Sequence, residues 1–253
     1  MLPIGDQNEP AKGPPIVTLL FIAINLAVFF LIQLGNDAFT YAYSAIPAEI
    51  TGGIDLVRPV PIDVGGEEVL IPQEPGPSPI YLTLLTSMFM HGGIAHIFGN
   101  MLFLWIFGDN VEHRVGHIPY LLFYLAAGII ASFAQIAIDP DSVIPTLGAS
   151  GAISGVLGAY LVMFPTNRVT VMFGFRPVLV PAIVAIGIWA VFQFISGFGA
   201  IATTDETTGG VAYMAHVGGF IAGVIFGLVG RTIWGSGPRG TPATERRYGF
   251  SRP

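Results

Sequence analysis

Residues 148–164 read GASGAISGVLGAYLVMF. The run is apolar enough for hydrocarbon, yet it opens on a serine and carries Gly151 and Gly155 at four-residue spacing. At 17 residues it is short for a bilayer core that takes about 20. A short apolar helix with a polar start fits a segment whose outer end opens into a cavity or protein interior rather than lipid. Ser150 can simply cap such a helix. It can also act as a nucleophile if a base reaches it where water is scarce.

The composition sets the same scene. Of 253 residues, 53% are hydrophobic and 10% charged, against roughly 25% charged in a soluble domain. The mean hydropathy is +0.70. These values place the chain among membrane proteins. A net charge of −6 gives no sign of nucleic-acid binding. The absence of cysteine excludes disulfides, thiolate zinc sites and cysteine nucleophiles. The one lysine, Lys12, precedes the first apolar run, so a serine–lysine dyad within the membrane is excluded too.

Six segments are long and apolar enough to cross: about 16–34, 94–108 (extending to about 114), 118–138, 148–164, 178–197 and 211–230. The first is too long for a signal-peptide core and lacks a small-residue cleavage site, so it reads as a retained span. The expected fold is an all-α, polytopic six-helix bundle. Residues 1–15 form a cytoplasmic N-terminal tail, 16–233 the membrane domain, and 234–253 a disordered cytoplasmic tail. With both termini inside, nine of the ten basic residues fall on the inner side and only Arg58 outside, as the positive-inside rule requires. The first outer loop, about 35–90, is too long to be featureless. Its apolar pieces, YAYSAIPAEI and PIYLTLLTSMF, suit the membrane interface. The arginines of the last 19 residues meet either anionic lipid or solvent. No internal repeat is evident, which weighs against the inverted-repeat transporter design.

Polar side chains are few inside the spans, and those that stand out are His96, Asn100, Ser150, Ser154 and His216, with His91 just ahead of the second. Each can pack a helix interface by hydrogen bonding, but ionisable groups in spans are functional candidates. Ser150 lies 15 residues before Pro165, His216 15 before Arg231, and His96 13 before Asp109. At 1.5 Å per residue all three sit roughly 20–24 Å above the inner boundary, several ångströms below the outer surface of a core of about 30 Å. Three spans thus bring polar groups to one level. His216, Gly219 and Gly223 share a helix face, so the glycines bring the histidine's side close to a partner helix.

Histidine is the suitable general base near neutral pH. No acidic residue lies in a span at this level; Asp139, Asp141 and Asp205 belong to outer loops. The pattern therefore points to a Ser150–His216 dyad. His96 and Asn100, at i and i+4, can present donors to a developing oxyanion, as can the Ser150 N–H at its helix start.

HGGIAHIFGN (91–100), GASG (148–151) and AHVGG (215–219), in this order and placement, resemble the rhomboid intramembrane serine proteases. The resemblance covers nearly the whole chain. It implies Ser150 as nucleophile, His216 as base, His96 and Asn100 at the oxyanion site, and His91 as a supporting residue that orients its loop. It implies the minimal six-span prokaryotic form, in a cell membrane, with the site opening to the outer face. Substrates would be transmembrane segments of other proteins, and no cofactor or metal is needed. The chain departs from many relatives at Ser154, where an aromatic residue packs near the base. It also departs in the first outer loop, where Arg58 precedes Pro59 and no tryptophan occurs.

Other chemistries fit less well. A metalloprotease of the HExxH type lacks its glutamate in HGGIAH, and Asp109 has no second aspartate for an aspartyl protease. A transporter explains the polar cluster but not the GASG context. A rhomboid-like protein that binds membrane helices without cutting them would usually lack the nucleophile or base.

Overall fold

The computed structural model describes residues 2–8, 13–203 and 212–235, with 197–203 as backbone. Lys12, Asp205, the arginines after Gly235 and nearly all of the expected C-terminal tail lie outside these residues.

The apolar runs do form helices: α1 (Ile16–Val28) extended by a π turn (Phe29–Gln33), then α2 (Asp37–Tyr43) and α3 (Pro47–Gly52). A short α4 (Thr83–Thr86), flanked by 3-10 turns at Ile80–Leu82 and Ser87–Phe89, leads into α5 (Ile94–Val115) and α6 (His117–Ile136). The bundle is completed by α7 (Ser150–Met163), α8 (Ala182–Thr203) and α9 (Tyr213–Trp234). Among the described residues, four helical stretches are long and apolar enough to cross a membrane, namely Ile16–Gln33, α5, α6 and α9. The chain is an integral membrane protein.

The all-α expectation needs correction. Five strands are present among the described residues: β1 (Leu2–Asp6), β2 (Val60–Val64), β3 (Glu67–Ile71), β4 (Arg168–Phe173) and β5 (Arg176–Pro181). The loop between the first and second apolar spans, expected on the outer side, holds the β2–β3 hairpin, turned by Gly65 and Gly66, both at positive φ. Two such residues make the tight turn that suits strand twist. The second sheet runs β1-β4-β5, all antiparallel, with Leu2 opposite Met172 and Asp6 opposite Val169. Arg176–Pro181 takes the first residues of the segment expected as the fifth span, and the helix begins only after Pro181. Within the N-terminal stretch, residues 2–6 are a strand in this sheet.

Side chains bind that strand to the bundle. The Asp6 carboxylate accepts hydrogen bonds from Tyr160 Oη of α7 and from Asn110 Nδ2 of α5, the latter at 2.7 Å. Asn8 Nδ2 donates to Asp109 at 2.8 Å. Burial pushes the Asp6 carboxyl up to about 7; the Tyr160 and Asn110 donors oppose the shift and the Asp109 charge adds to it. The folded state therefore holds this proton more tightly than the unfolded chain, whose carboxyl titrates near 4. The contribution to stability is full below about pH 4 and falls away as pH rises to about 7. Asp6→Asn, which mimics the protonated group, is expected to raise the thermal midpoint relative to the parent more at pH 8 than at pH 5. An equal effect at both pH values would contradict this.

At the same end of the bundle, fully buried Glu112 of α5 caps α1. Its carboxylate accepts from the Val17 and Thr18 N–H groups at 2.8 Å each and from Thr18 Oγ1 at 2.7 Å. These amides would otherwise be orphaned, and a carboxylate suits the positive helix end.

The short α7 is the axis of the bundle, with every residue from Gly151 to Tyr160 buried. The glycines decide which helix it meets. A Cβ on Gly219 would lie 2.0 Å from the Gly151 carbonyl oxygen, and one on Gly223 1.9 Å from that of Gly155. On the other side, a Cβ on Gly158 would lie 2.3 Å from the Phe220 oxygen. The partner of the histidine-bearing face of α9 is thus α7, at backbone-to-backbone contact.

Candidate active site

Ser150 is the first residue of α7, and the loop before it is held from two sides. Gly148 N–H donates to the Ser87 carbonyl at 2.9 Å, while Thr146 and Ala45 exchange backbone hydrogen bonds at 2.8 and 3.0 Å. The long loop between the first and second apolar spans therefore supports the approach to Ser150. Gly148 has φ +135°, and a Cβ there would lie 3.0 Å from His96 Cε1. The backbone conformation calls for glycine, and a side chain would also press on the His96 ring.

The close packing of α7 and α9 delivers His216 to Ser150. His216 Nε2 lies 2.8 Å from Ser150 Oγ, within hydrogen-bond reach of a nucleophile and its base. Trp189 of α8 and Tyr213 of α9 flank the imidazole, with ring centroids at 6.2 and 6.4 Å. Ser154, the position at which the chain departs from the resemblance, donates to the Ser150 carbonyl at 2.6 Å.

The pair opens onto a cavity of about 620 Å³, whose lining includes His96, Asn100, Phe103 and Trp189. That volume accommodates a ligand of several residues or a drug-sized molecule. The Gly92 N–H donates to His96 Nδ1 at 3.2 Å. A neutral ring accepting there carries its proton on Nε2, the nitrogen on the Gly148 side. Asn100 Nδ2 is buried and has no hydrogen-bond partner among the described residues. A buried amide donor left open beside a cavity is a group that a ligand oxygen can satisfy.

Of the five expected site residues, four surround this cavity. His91 does not line it. Its ring is 1% exposed and stands edge-on behind His96, centroids 5.2 Å apart. Its backbone is clamped by Gln33, whose Oε1 accepts from His91 N–H at 2.9 Å and whose Nε2 donates to the His91 carbonyl at 2.8 Å. Gln33 ends the π turn after α1, so the first helix sets the HGG loop.

Sequence reasoning missed Gln193. Its Oε1 lies 2.7 Å from His216 Nδ1, from a position in α8 where the side chain is 8% exposed. The available signal was a lone amide in an apolar run, one turn after a tryptophan.

A family model described as the rhomboid domain matches residues 79–232, which contain every residue of the cavity named above. The chain is 32% identical over 217 residues to the Rhomboid protease GluP of Bacillus subtilis, covering 86% of this chain and 36% of that protein. It is 32% identical over 154 residues to the mitochondrial Rhomboid protein 1 of Saccharomyces cerevisiae, covering 58% and 41%. It is 29% identical over 161 residues to the mitochondrial Presenilin-associated rhomboid-like protein of Mus musculus, covering 60% and 39%. The chain spans about two fifths of the length of these relatives.

Proposed function

The chain belongs to the rhomboid family, and on that premise we propose that it is an intramembrane serine endopeptidase. It cuts a peptide bond in or next to a transmembrane segment of another membrane protein. The observation that carries this reading is the 2.8 Å approach of Ser150 Oγ to His216 Nε2 at the wall of a cavity within an apolar bundle. The name of the bacterial relative, a rhomboid protease, supports the same reading.

In the proposed reaction, Ser150 Oγ attacks the scissile carbonyl carbon while His216 Nε2 takes its proton. The carbonyl oxygen becomes an oxyanion, held by the Ser150 N–H, His96 Nε2–H and Asn100 Nδ2–H. Collapse of this intermediate breaks the C–N bond, and His216 gives its proton to the leaving amine. An acyl-enzyme remains. A water molecule, deprotonated by His216, attacks the ester and releases the new carboxylate, and Ser150 recovers its proton. The oxyanion donors are fixed before reaction, which is where electrostatic catalysis gains most. A substrate helix must unwind locally for its carbonyl to reach Oγ, so small or helix-breaking residues near the cut are favoured.

The membrane arrangement is part of the same proposal. The helix Ile16–Gln33 and α5 to α9 make six crossings, with 16–233 as the membrane unit. The 14 residues of α7 reach only about 21 Å, which suits a helix that begins at a water-filled hollow. The charge distribution supports cytoplasmic termini, and so a site open to the outer face of a prokaryotic cell membrane.

Asn100→Ala removes one oxyanion donor and is expected to lower kcat about 10²-fold with little change in KM. An unchanged kcat would remove Asn100 from the oxyanion site. The whole reading is tested by reconstituting the protein in liposomes with a panel of single-span reporter proteins. Mass spectrometry should find a cut within or beside a transmembrane segment, absent with Ser150→Ala. Intact reporters throughout, with the protein folded, would favour a non-cutting helix binder or a transporter.

A further inference from the structure

We infer that Gln193 is a positioning residue: its amide oxygen holds the Nδ1 proton of His216 and fixes the imidazole as the tautomer whose Nε2 can accept from Ser150. The inference rests on reading Ser150 and His216 as nucleophile and base.

A neutral imidazole carries one proton, on either nitrogen. Only with that proton on Nδ1 does Nε2 keep the lone pair needed to take a proton from the Ser150 hydroxyl. The hydroxyl cannot enforce this choice, because it can donate or accept equally well. Gln193 can. Its Oε1, 2.7 Å from Nδ1, only accepts, so the contact is a hydrogen bond only when Nδ1 bears the proton. The side chain is largely buried, and an amide oxygen left unpaired there is costly. The bond also survives the reaction, since the imidazolium keeps its Nδ1–H.

The placement suits this work. Trp189 and Gln193 are i and i+4 in α8 and share one face. Trp189 flanks the ring of His216 and Gln193 holds its far nitrogen, so two turns of one helix set both tilt and tautomer. An aspartate or glutamate at this point would hold the ring more strongly, but it would put a full charge into an apolar span, where charges are expensive. The neutral amide orients the ring without that cost. Trp189 lines the cavity, whereas Gln193 does not. Its loss should therefore spare substrate binding.

The test uses the full chain in detergent with Gln193→Leu and Gln193→Glu. In Gln193→Leu, kcat and the rate of fluorophosphonate labelling at Ser150 should both fall roughly tenfold, the scale of one hydrogen bond, with KM unchanged. Gln193→Glu keeps the acceptor and should restore most of the rate. In ¹⁵N spectra of histidine-labelled protein, the His216 ring should carry its proton on Nδ1 in the parent and shift toward the Nε2 form in Gln193→Leu. If Gln193→Leu does not fold, Gln193→Met removes the acceptor in the same way. Parental kcat with an unchanged tautomer in the leucine variant would overturn the inference, as would a parent ring protonated on Nε2. An unlabelled parent instead brings down the nucleophile assignment, and this inference with it.

Discussion

A chain carrying Ser150→Ala is expected to lose cleavage by roughly 10⁶-fold, the scale seen when a serine protease loses its nucleophile. Its stability should barely change. Ser150 Oγ has His216 as its hydrogen-bond partner, and the rest of the residue's work is done by its backbone. The carbonyl accepts from Ser154, and alanine keeps that bond. Alanine also suits the helix start sterically, since it only removes an atom. Loss of turnover with an unchanged thermal midpoint therefore separates chemistry from folding. Turnover within tenfold of the parent would mean that another group attacks the substrate.

The second large effect concerns a residue with no side chain. In Gly219→Ala the new methyl would begin 2.0 Å from the Gly151 carbonyl oxygen, whereas real Cβ contacts do not fall below 3.0 Å. The opposing atom is backbone, so no rotamer change relieves the clash, and α9 must move off α7 by about an ångström. Gly151 follows Ser150, and Gly219 lies one turn after His216. The displacement therefore falls on the Ser150–His216 pair itself. A 1 Å misplacement costs about 10²-fold in rate, and overpacking of this kind typically costs about 1–3 kcal/mol in stability. Gly219→Ala should show both losses. Ile225→Ala, at an exposed position of the same helix, should show neither. A fully active Gly219→Ala would mean that α7 and α9 are not held at backbone contact.

Much of the site was readable because depth along a helix is a linear measure. Counting residues to the inner ends of three spans put Ser150, His216 and His96 at one level, and the structure gathers them around one cavity. The glycines at 219 and 223 announced a close helix contact, but a small-residue stripe does not name its partner. Only coordinates identify α7. Gln193 escaped for a related reason: a lone amide in a span reads as interhelical glue, and nothing local says that it faces an imidazole.

The strands escaped because hydropathy is blind to backbone state over short runs. VPIDVGGEEVLI alternates around a two-glycine turn, a hairpin pattern masked by its proline-rich and acidic surroundings. Val178, Leu179 and Val180 looked like the start of a span, yet they lie between Pro177 and Pro181. Proline disfavours helix at the residue before it, so this apolar stretch pairs as β5 and leaves the helix to begin at Ala182.

The most direct test is fluorophosphonate labelling of the purified protein, with the adduct located by tandem mass spectrometry. An alcohol activated by His216 predicts a single adduct on Ser150 in the parent and labelling slowed by orders of magnitude in His216→Ala. No adduct on folded parent protein, an adduct on another residue, or equal labelling rates in parent and His216→Ala would contradict it.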